Sequence, residues 1–284
     1  MTRGFATPRD PAAAGTLRRN AAAVPPVFGV DFFAGTLEAA AMAVVDRARS
    51  SHGGYSCFAG AHGVVTSWHR PPLADALDHA WRNFPDGAPV AWMMRRSGVG
   101  GAQRLAGPDV MPLVFERGQP FGLRHFLFGS TPSVLARLER SLTDRYPGAI
   151  IAGTLSPPFR TLSEHEELAI LDEIIGSRPD LIWVGLGLPK QDEWMHRNVE
   201  RYRPALALGV GAAFDFLAGS KPRAPEWMRR RGLEWAHRMA CEPRRLSGRY
   251  ARTNSEFMVR AAAELARVYS TRLRAGTAPG EPDG

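Results

Sequence analysis

The sequence is poor in cysteine, and its two cysteines, Cys57 and Cys241, stand far apart and outside any Cys-x-x-Cys pair. This scarcity excludes a disulfide framework and a thiolate zinc site, and it is typical of proteins from reducing compartments. The histidines form no His-Glu-x-x-His pattern, and no Gly-x-Ser-x-Gly pattern occurs. The chain therefore lacks the marks of zinc hydrolases and of serine hydrolases.

Long apolar segments are also missing. No stretch reaches the roughly 18 uncharged apolar residues that a membrane span needs, and the arginine-containing N-terminus has no apolar segment of the signal-peptide kind. Since 44% of the residues are nevertheless hydrophobic, the chain can bury a substantial core. We therefore expect a cytoplasmic protein, and any contact that it makes with the cell membrane must be peripheral.

Lysine is scarce, so arginine carries almost all of the positive charge that gives the chain its net +8. Between Lys221 and Arg252, ten basic residues stand against three glutamates, which leaves a local charge of +7. Trp227 and Trp235 lie among these arginines, and such a mixture is typical of interfacial membrane segments. Nucleic acid would attract the same charge, but no DNA- or RNA-reading motif accompanies it. We expect an anionic membrane surface as a partner and no nucleic acid.

Short apolar runs alternate with amphipathic segments through the middle of the chain. This alternation is typical of βα units and predicts an α/β, Rossmann-like fold, with a mostly parallel sheet flanked by helices. Thr131 before Pro132, and the box from Ser163 to Glu166, mark two helix starts. The predicted strands are residues 27–30, 123–128, 150–154, 181–184 and 205–210, and the predicted helices are 37–49, 132–146, 163–177 and 191–200.

Composition divides the chain into four parts. Residues 1–25 and 275–284 are rich in small residues and proline without periodicity, and we predict disordered tails there. Residues 26–221 carry the alternating pattern and form the predicted α/β core. Residues 222–274 are helical in pattern and basic, and we predict an appendage that associates with the membrane.

Two predicted strands run into glycine-rich turns, at residues 184–191 and 209–215. At the carboxyl ends of parallel strands, such turns let backbone N–H groups approach a phosphate; tight turns without a ligand are the alternative. A nicotinamide dinucleotide site is disfavoured, because Phe214 stands where the third glycine of that motif belongs. Asp86, between Pro85 and Gly87, is by itself an ordinary turn residue.

Several separated motifs, in one order, carry a resemblance to a known family. They are Pro85-Asp86-Gly87 and the segments 104–109, 178–181, 185–192, 209–219, 221–225, 233–238 and 242–250. Through them, residues 27–252 resemble the WecG/TagA/CpsF family, also called glycosyltransferase family 26. The resemblance implies an inverting hexosyltransferase that moves a sugar from a UDP-sugar to a polyprenyl-diphosphate-linked acceptor, in the synthesis of a surface polysaccharide such as exopolysaccharide, capsule or a teichoic-acid-type polymer. It implies no metal and no cofactor, and a homo-oligomer stays open.

The resemblance also implies roles for single residues. Asp86 matches the family's proposed general base, which takes the proton of the acceptor hydroxyl. The positions that match substrate-binding residues are Gly60, His62, Arg104, Gly187, Gln191, Gly211 and Asp215. Three arginines match those thought to complete the site at the membrane, near the acceptor diphosphate: Arg238, Arg245 and Arg249.

The chain departs from the family pattern at one place. Phe58 and Gly60 stand where the family usually has Thr-x-Asn, so two polar groups expected to contact substrate are replaced. A different donor or acceptor sugar would follow from this change. The alternative is a catalytically weakened paralogue that binds nucleotide or lipid as a scaffold for other glycan enzymes.

Overall fold

The computed structural model describes the backbone of residues 27–276, and within it the side chains of residues 27–229, 231–244, 248 and 253–266. The strands are β1 (Gly54–Ala59), β2 (Arg82–Pro85), β3 (Arg124–Gly129), β4 (Ile150–Leu155), β5 (Leu181–Gly185) and β6 (Leu206–Gly209). They form one sheet, parallel throughout, in the order β2-β1-β6-β5-β3-β4. The predicted α/β fold with a parallel sheet is confirmed.

Four of the five predicted strands are confirmed as β3, β4, β5 and β6, and the prediction for residues 27–30 is wrong. Val27 and Val30 instead pair with each other across a tight turn. Strands β1 and β2 were not predicted, because β1 contains Gly54 and Ser56 in place of a branched aliphatic run and β2 has only four residues. β1 is nevertheless buried along its length, since β2 and β6 lie on either side of it.

Helices cover both faces of the sheet, as an all-parallel sheet requires. Helices α2, α3, α4, α7, α8 and α12 contribute to one apolar cluster, and α1, α5, α6 and α9 contribute to the other. The helices are α1 (Leu37–Arg49), α2 (Ala61–Trp68), α3 (Pro71–Asp78), α4 (Ala88–Arg96), α5 (Gly107–Gly118), α6 (Pro132–Arg145), α7 (Glu164–Gly176), α8 (Lys190–Tyr202), α9 (Ala213–Leu217), α10 (Glu226–Arg230), α11 (Glu234–Cys241) and α12 (Pro243–Gly276).

Both predicted helix starts are confirmed. The Thr131 hydroxyl accepts a hydrogen bond from the N–H of Val134 at the start of α6. Before α7, the Ser163 hydroxyl accepts from the N–H of Glu166, and the Glu166 carboxylate accepts from the N–H of Ser163. These bonds satisfy N–H groups that a helix leaves without partners at its first turn.

The C-terminal helix packs against the core. Phe257 and Ala261 of α12 are buried in the same apolar cluster as β1, and α12 lies along α2. α12 continues to Gly276, two residues into the tail predicted at 275–284; the rest of that tail, and the tail 1–25, lie outside the described residues. Within the described range, none of the helices combines the length and the apolar character that crossing a bilayer demands.

Candidate active site

Seven of the predicted site residues follow the ends of four neighbouring strands, at the carboxyl edge of the sheet. They are Gly60 and His62 after β1, Asp86 after β2, Gly187 and Gln191 after β5, and Gly211 and Asp215 after β6. Parallel strands all end at one edge, so segments that are distant in sequence meet there. In open parallel sheets this edge is where ligands bind.

The backbone around Asp86 packs directly against Gly60. The Asp86 N–H donates to the Ala59 carbonyl oxygen at 3.1 Å. A Cβ atom added to Gly60 would lie 2.1 Å from the Asp86 carbonyl oxygen, although the Gly60 φ of −97° suits any residue. Glycine is therefore required at position 60 for space, and it lets the segment that carries the candidate base lie against the end of β1.

The pKa of the Asp86 carboxyl is raised to about 6. Burial is the largest cause; Arg104 and Arg238 oppose the rise, and Glu234 and Asp109 contribute to it. Four charged groups from two parts of the chain therefore act on this one carboxyl. A side chain in such an environment, at a ligand-binding edge, is a candidate for acid–base chemistry.

A group of five charged side chains, called the charge cluster below, joins the core to the C-terminal segment. Arg104 and Asp109 come from the core, and Arg223, Arg229 and Glu234 come from the C-terminal segment. The Arg104 Nη2 atom lies 2.5 Å from Glu234 Oε2. Arg223 and Arg229 reach the Asp109 carboxylate at 2.8 and 3.4 Å. Because charges with little exposure are stable only when paired, these contacts hold the C-terminal segment over the site.

Gln191 holds the two glycine-rich turns together. Its side chain is buried; Oε1 accepts from the Gly187 N–H at 3.1 Å, and Nε2 donates to the Gly209 carbonyl at 2.6 Å. The Gly211 N–H donates to the Val184 carbonyl at 3.3 Å. The N–H groups of Gly187 and Gly211 are thus engaged within the protein, so the phosphate contact expected from these turns is not made by these two N–H groups in this arrangement. The substrate contact predicted for Gln191 stays a prediction.

Glycine is needed in both turns for its conformational freedom. Gly187 has φ +79° and Gly211 has φ +53°, in the left-handed region that other residues avoid. Close to them, Asp215 pairs with Lys221 at 3.5 Å. His62 lies at the start of α2, where the Thr66 hydroxyl donates to the His62 carbonyl oxygen at 2.7 Å.

Of the three arginines assigned to the membrane side, the structure places one. The Arg238 guanidinium lies 5.7 Å from the centre of the Phe216 ring, and Arg238 acts on the pKa of Asp86. The side chains of Arg245 and Arg249 lie outside the described residues.

Phe58, which stands at one of the two polar positions of the family pattern, is a core residue in this chain. It is 7% exposed and packs in the apolar cluster on the α5 side of the sheet, with its ring centre 5.0 Å from that of Phe84. Successive strand residues point to opposite faces, which directs Phe58 to that side. The substrate contact expected of the family's group at this position stays a prediction.

Three acidic residues of this region were not among the predicted site residues. Asp109 and Glu234 belong to the charge cluster, and each stands in a quoted motif beside arginines, which is the signal that would have identified them. Asp192 is buried near Cys57; burial raises the pKa of Asp192 to about 7, and the Cys57 thiol opposes that rise. No pattern in the sequence indicated that β1 and α8 bring Asp192 and Cys57 together.

The sequence of the chain is similar to the sequences of several named proteins. A Bacillus subtilis (strain 168) protein named N-acetylglucosaminyldiphosphoundecaprenol N-acetyl-beta-D-mannosaminyltransferase is 30% identical over 191 residues, which are 64% of this chain and 73% of that protein. Proteins of the same name from Bacillus spizizenii and Staphylococcus aureus (strain NCTC 8325) are 30% and 29% identical, over 57% and 51% of this chain. The chain spans 61% and 55% of the length of these two relatives.

The family model described as "Glycosyl transferase WecG/TagA/CpsF family" matches residues 25–271. This range includes the whole sheet, the charge cluster and most of α12. The chain therefore belongs to the WecG/TagA/CpsF family of glycosyltransferases.

Proposed function

We propose that the protein is an inverting hexosyltransferase, which moves a sugar from a UDP-sugar to a hydroxyl of a polyprenyl-diphosphate-linked acceptor with Asp86 as the general base. The observation that carries the proposal is the setting of Asp86. Its partly buried carboxyl stands at the ligand-binding edge of the sheet, with its pKa raised to about 6 and with Arg104 and Arg238 near enough to act on it.

In the proposed reaction, the acceptor oxygen attacks the anomeric carbon of the donor sugar. A carbon–oxygen bond forms there while the bond from that carbon to the diphosphate oxygen breaks, and the electron pair leaves with UDP. The acceptor proton passes to the Asp86 carboxylate. An alcohol is a weak nucleophile, and base assistance of this kind typically contributes about 10²–10⁴-fold to the rate.

The raised pKa suits this role. A carboxyl whose pKa is about 6 is mainly ionised at neutral pH, yet it is a stronger base than an ordinary aspartate. General bases work best when their pKa lies near the working pH. The burial that raises the pKa therefore favours the chemistry.

The leaving diphosphate gains negative charge, which fixed positive groups must stabilise. Arg104 and Arg238 lie at the site, and we propose that these guanidinium groups meet the charge without a metal ion. Arginine suits this task because its planar fork of donors matches phosphate oxygens.

The names of the relatives support the choice of substrates. They describe transfer of N-acetylmannosamine to N-acetylglucosaminyldiphosphoundecaprenol, so we propose UDP-N-acetylmannosamine and this lipid as the first pair to test. We also propose that the product enters a surface polysaccharide, and that the enzyme works peripherally on the inner face of the cell membrane. The exposure of Trp227 and Trp235, 56% and 41%, supports membrane contact.

The test of this proposal is UDP release from a panel of UDP-sugars in the presence of the lipid acceptor. The wild-type protein should release UDP, and Asp86→Asn should lower kcat by about 10²-fold or more, because the amide cannot accept the proton. Asp172→Asn, at an exposed position on α7, is the matched control and should keep full activity. Equal rates for Asp86→Asn and the control would contradict the proposal.

A second candidate function is the scaffold paralogue, and Gly60 is the observation that favours it. At this position the family's amide is missing. UDP binding without turnover on any donor would support the scaffold. Gly60→Asn is a poor restoration, because its Cβ would meet the Asp86 carbonyl oxygen at 2.1 Å.

A further inference from the structure

Glu234 is a carboxylate that the C-terminal segment inserts beside the candidate base. It stands in the first turn of α11, and its side chain is only 14% exposed. A carboxylate with so little exposure is costly unless cations pair with it. Its contacts therefore show what it holds in place.

Glu234 and Asp109 hold the guanidinium of Arg104 between them. The Glu234 Oε2 atom lies 2.5 Å from Arg104 Nη2, and the Asp109 Oδ2 atom lies 3.5 Å from the same nitrogen. Glu234 Oε1 also lies 3.6 Å from Nε of Arg223, which is bound to Asp109. Two carboxylates, one from the core and one from the C-terminal segment, thus fix one arginine, and such charge-assisted contacts restrict its geometry strongly.

The residues just before Glu234 pack against the segment that follows Asp86. A Cβ atom added to Gly232 would lie 2.5 Å from the Cβ of Ala88, the first residue of α4. Arg238 stands one helical turn after Glu234, on the same face of α11. The charged groups that act on Asp86 are Arg104 before α5, Asp109 on α5, and Glu234 and Arg238 on α11.

We propose that Glu234 is a positioning residue of the transfer reaction: it fixes the guanidinium of Arg104 near Asp86 and places a negative charge beside the base. The Leu105 N–H donates to the Pro85 carbonyl oxygen at 2.8 Å, which brings the chain at Arg104 next to the chain at Asp86. This inference rests on the proposed function. A carboxylate whose charge did not act on Asp86 would leave the titration of Asp86 unchanged when lost.

The test compares Glu234→Gln with the wild type in the pH profile of kcat/KM. The glutamine amide oxygen can still accept a hydrogen bond from Arg104, so this change removes mainly the negative charge. The pKa of Asp86 then falls, and the acid limb of the profile should move down by about one pH unit. Glu234→Asp retains the charge and should keep the limb near its wild-type position. Glu256→Gln is the matched control: Glu256 also joins the C-terminal segment to the core, through His69 at 2.9 Å, and its loss should not move the limb.

A second readout needs no turnover. Carbon-13 NMR of the aspartate carboxyl groups, with Asp86→Asn to assign the Asp86 signal, gives the pKa directly. A lower value in Glu234→Gln, with no change in Glu256→Gln, supports the inference; an unchanged value in a folded Glu234→Gln protein overturns it. If Glu234→Gln is unfolded at the assay temperature, the same titration is made at a lower temperature where it is folded, and an unchanged pKa there overturns the inference equally.

The two readouts separate this inference from the proposed function. A shifted Asp86 titration in a protein that transfers no sugar from any donor would contradict the proposed function while supporting the placement of Glu234. Normal transfer by the wild type with an unshifted titration in Glu234→Gln would contradict only the role of Glu234.

Discussion

At the scale of single residues, Gly60 decides where the candidate base stands. We predict that Gly60→Ala lowers kcat/KM for UDP release by about 10²-fold, because the added Cβ would meet the Asp86 carbonyl oxygen at 2.1 Å and must displace the base. Gly63→Ala is the control, since its Cβ would meet the flexible end of Leu188 at 3.1 Å and the Ala59 Cβ at an ordinary contact distance of 3.6 Å. Equal losses in the two variants would show that the backbone contact has no special importance.

Gln191, a residue of the family motif, has a structural role in this chain. The family pattern assigns it to the pocket, yet both of its polar side-chain atoms bond to backbone groups of the glycine turns. A buried amide in this arrangement costs about 1–3 kcal/mol to leave without partners. No sequence pattern reveals this, because Gly187 and Gly209 are brought to Gln191 by two different strands.

At the scale of elements, β3, β5 and α5 enclose a neutral histidine. His125 is buried and stacks on Phe115 with ring centres 3.9 Å apart, and its Nδ1 accepts a hydrogen bond from Trp183 at 3.1 Å. Burial lowers the pKa of His125 to about 3. An imidazole held neutral as an acceptor is therefore part of the native packing.

This histidine makes stability depend on pH. Its pKa is near 6.5 in the unfolded chain and about 3 in the folded one, so the unfolded state binds more protons below pH 6.5. The stabilisation is complete above that pH and falls by up to about 1.4 kcal/mol per pH unit as the pH drops toward 3. Urea unfolding between pH 7.5 and 4.5 should show this decline, and His125→Phe should show a shallower one. Parallel slopes would contradict the assignment.

At the scale of the whole molecule, positive charge and exposed aromatic rings share the C-terminal segment. Trp227 and Trp235 lie where the local charge of +7 is concentrated. The double variant Trp227→Ser/Trp235→Ser should bind vesicles containing anionic lipid about tenfold more weakly, because less apolar surface enters the interface. Phe159→Ser is the control. Phe159 is 81% exposed, but it follows the edge strand β4 and lies outside the C-terminal segment. A vesicle co-sedimentation assay that gives equal losses would refute this surface.

The C-terminal segment is also packed into the core of the molecule and paired with its charged residues. Phe257 and Ala261 of α12 belong to an apolar cluster of the core, and the charge cluster joins Arg104 to Glu234. The charge and helical pattern of residues 222–274 predicted an appendage there. Charge along a sequence indicates which solvent or surface a segment meets, but it does not indicate which residues of the core will pair with it.

The sequence alone determined the features that depend on neighbouring residues: the four regular strands, the two capped helix starts, and the order of motifs that carries the family resemblance. Tertiary structure decided the rest. It buried Phe58 in the core, paired β1 and β2 with the rest of the sheet, and placed Glu234 and Arg104 2.5 Å apart. The physical reason is range: periodicity and capping act over a few residues, whereas burial, ion pairing and pKa depend on which distant segments the fold brings into contact.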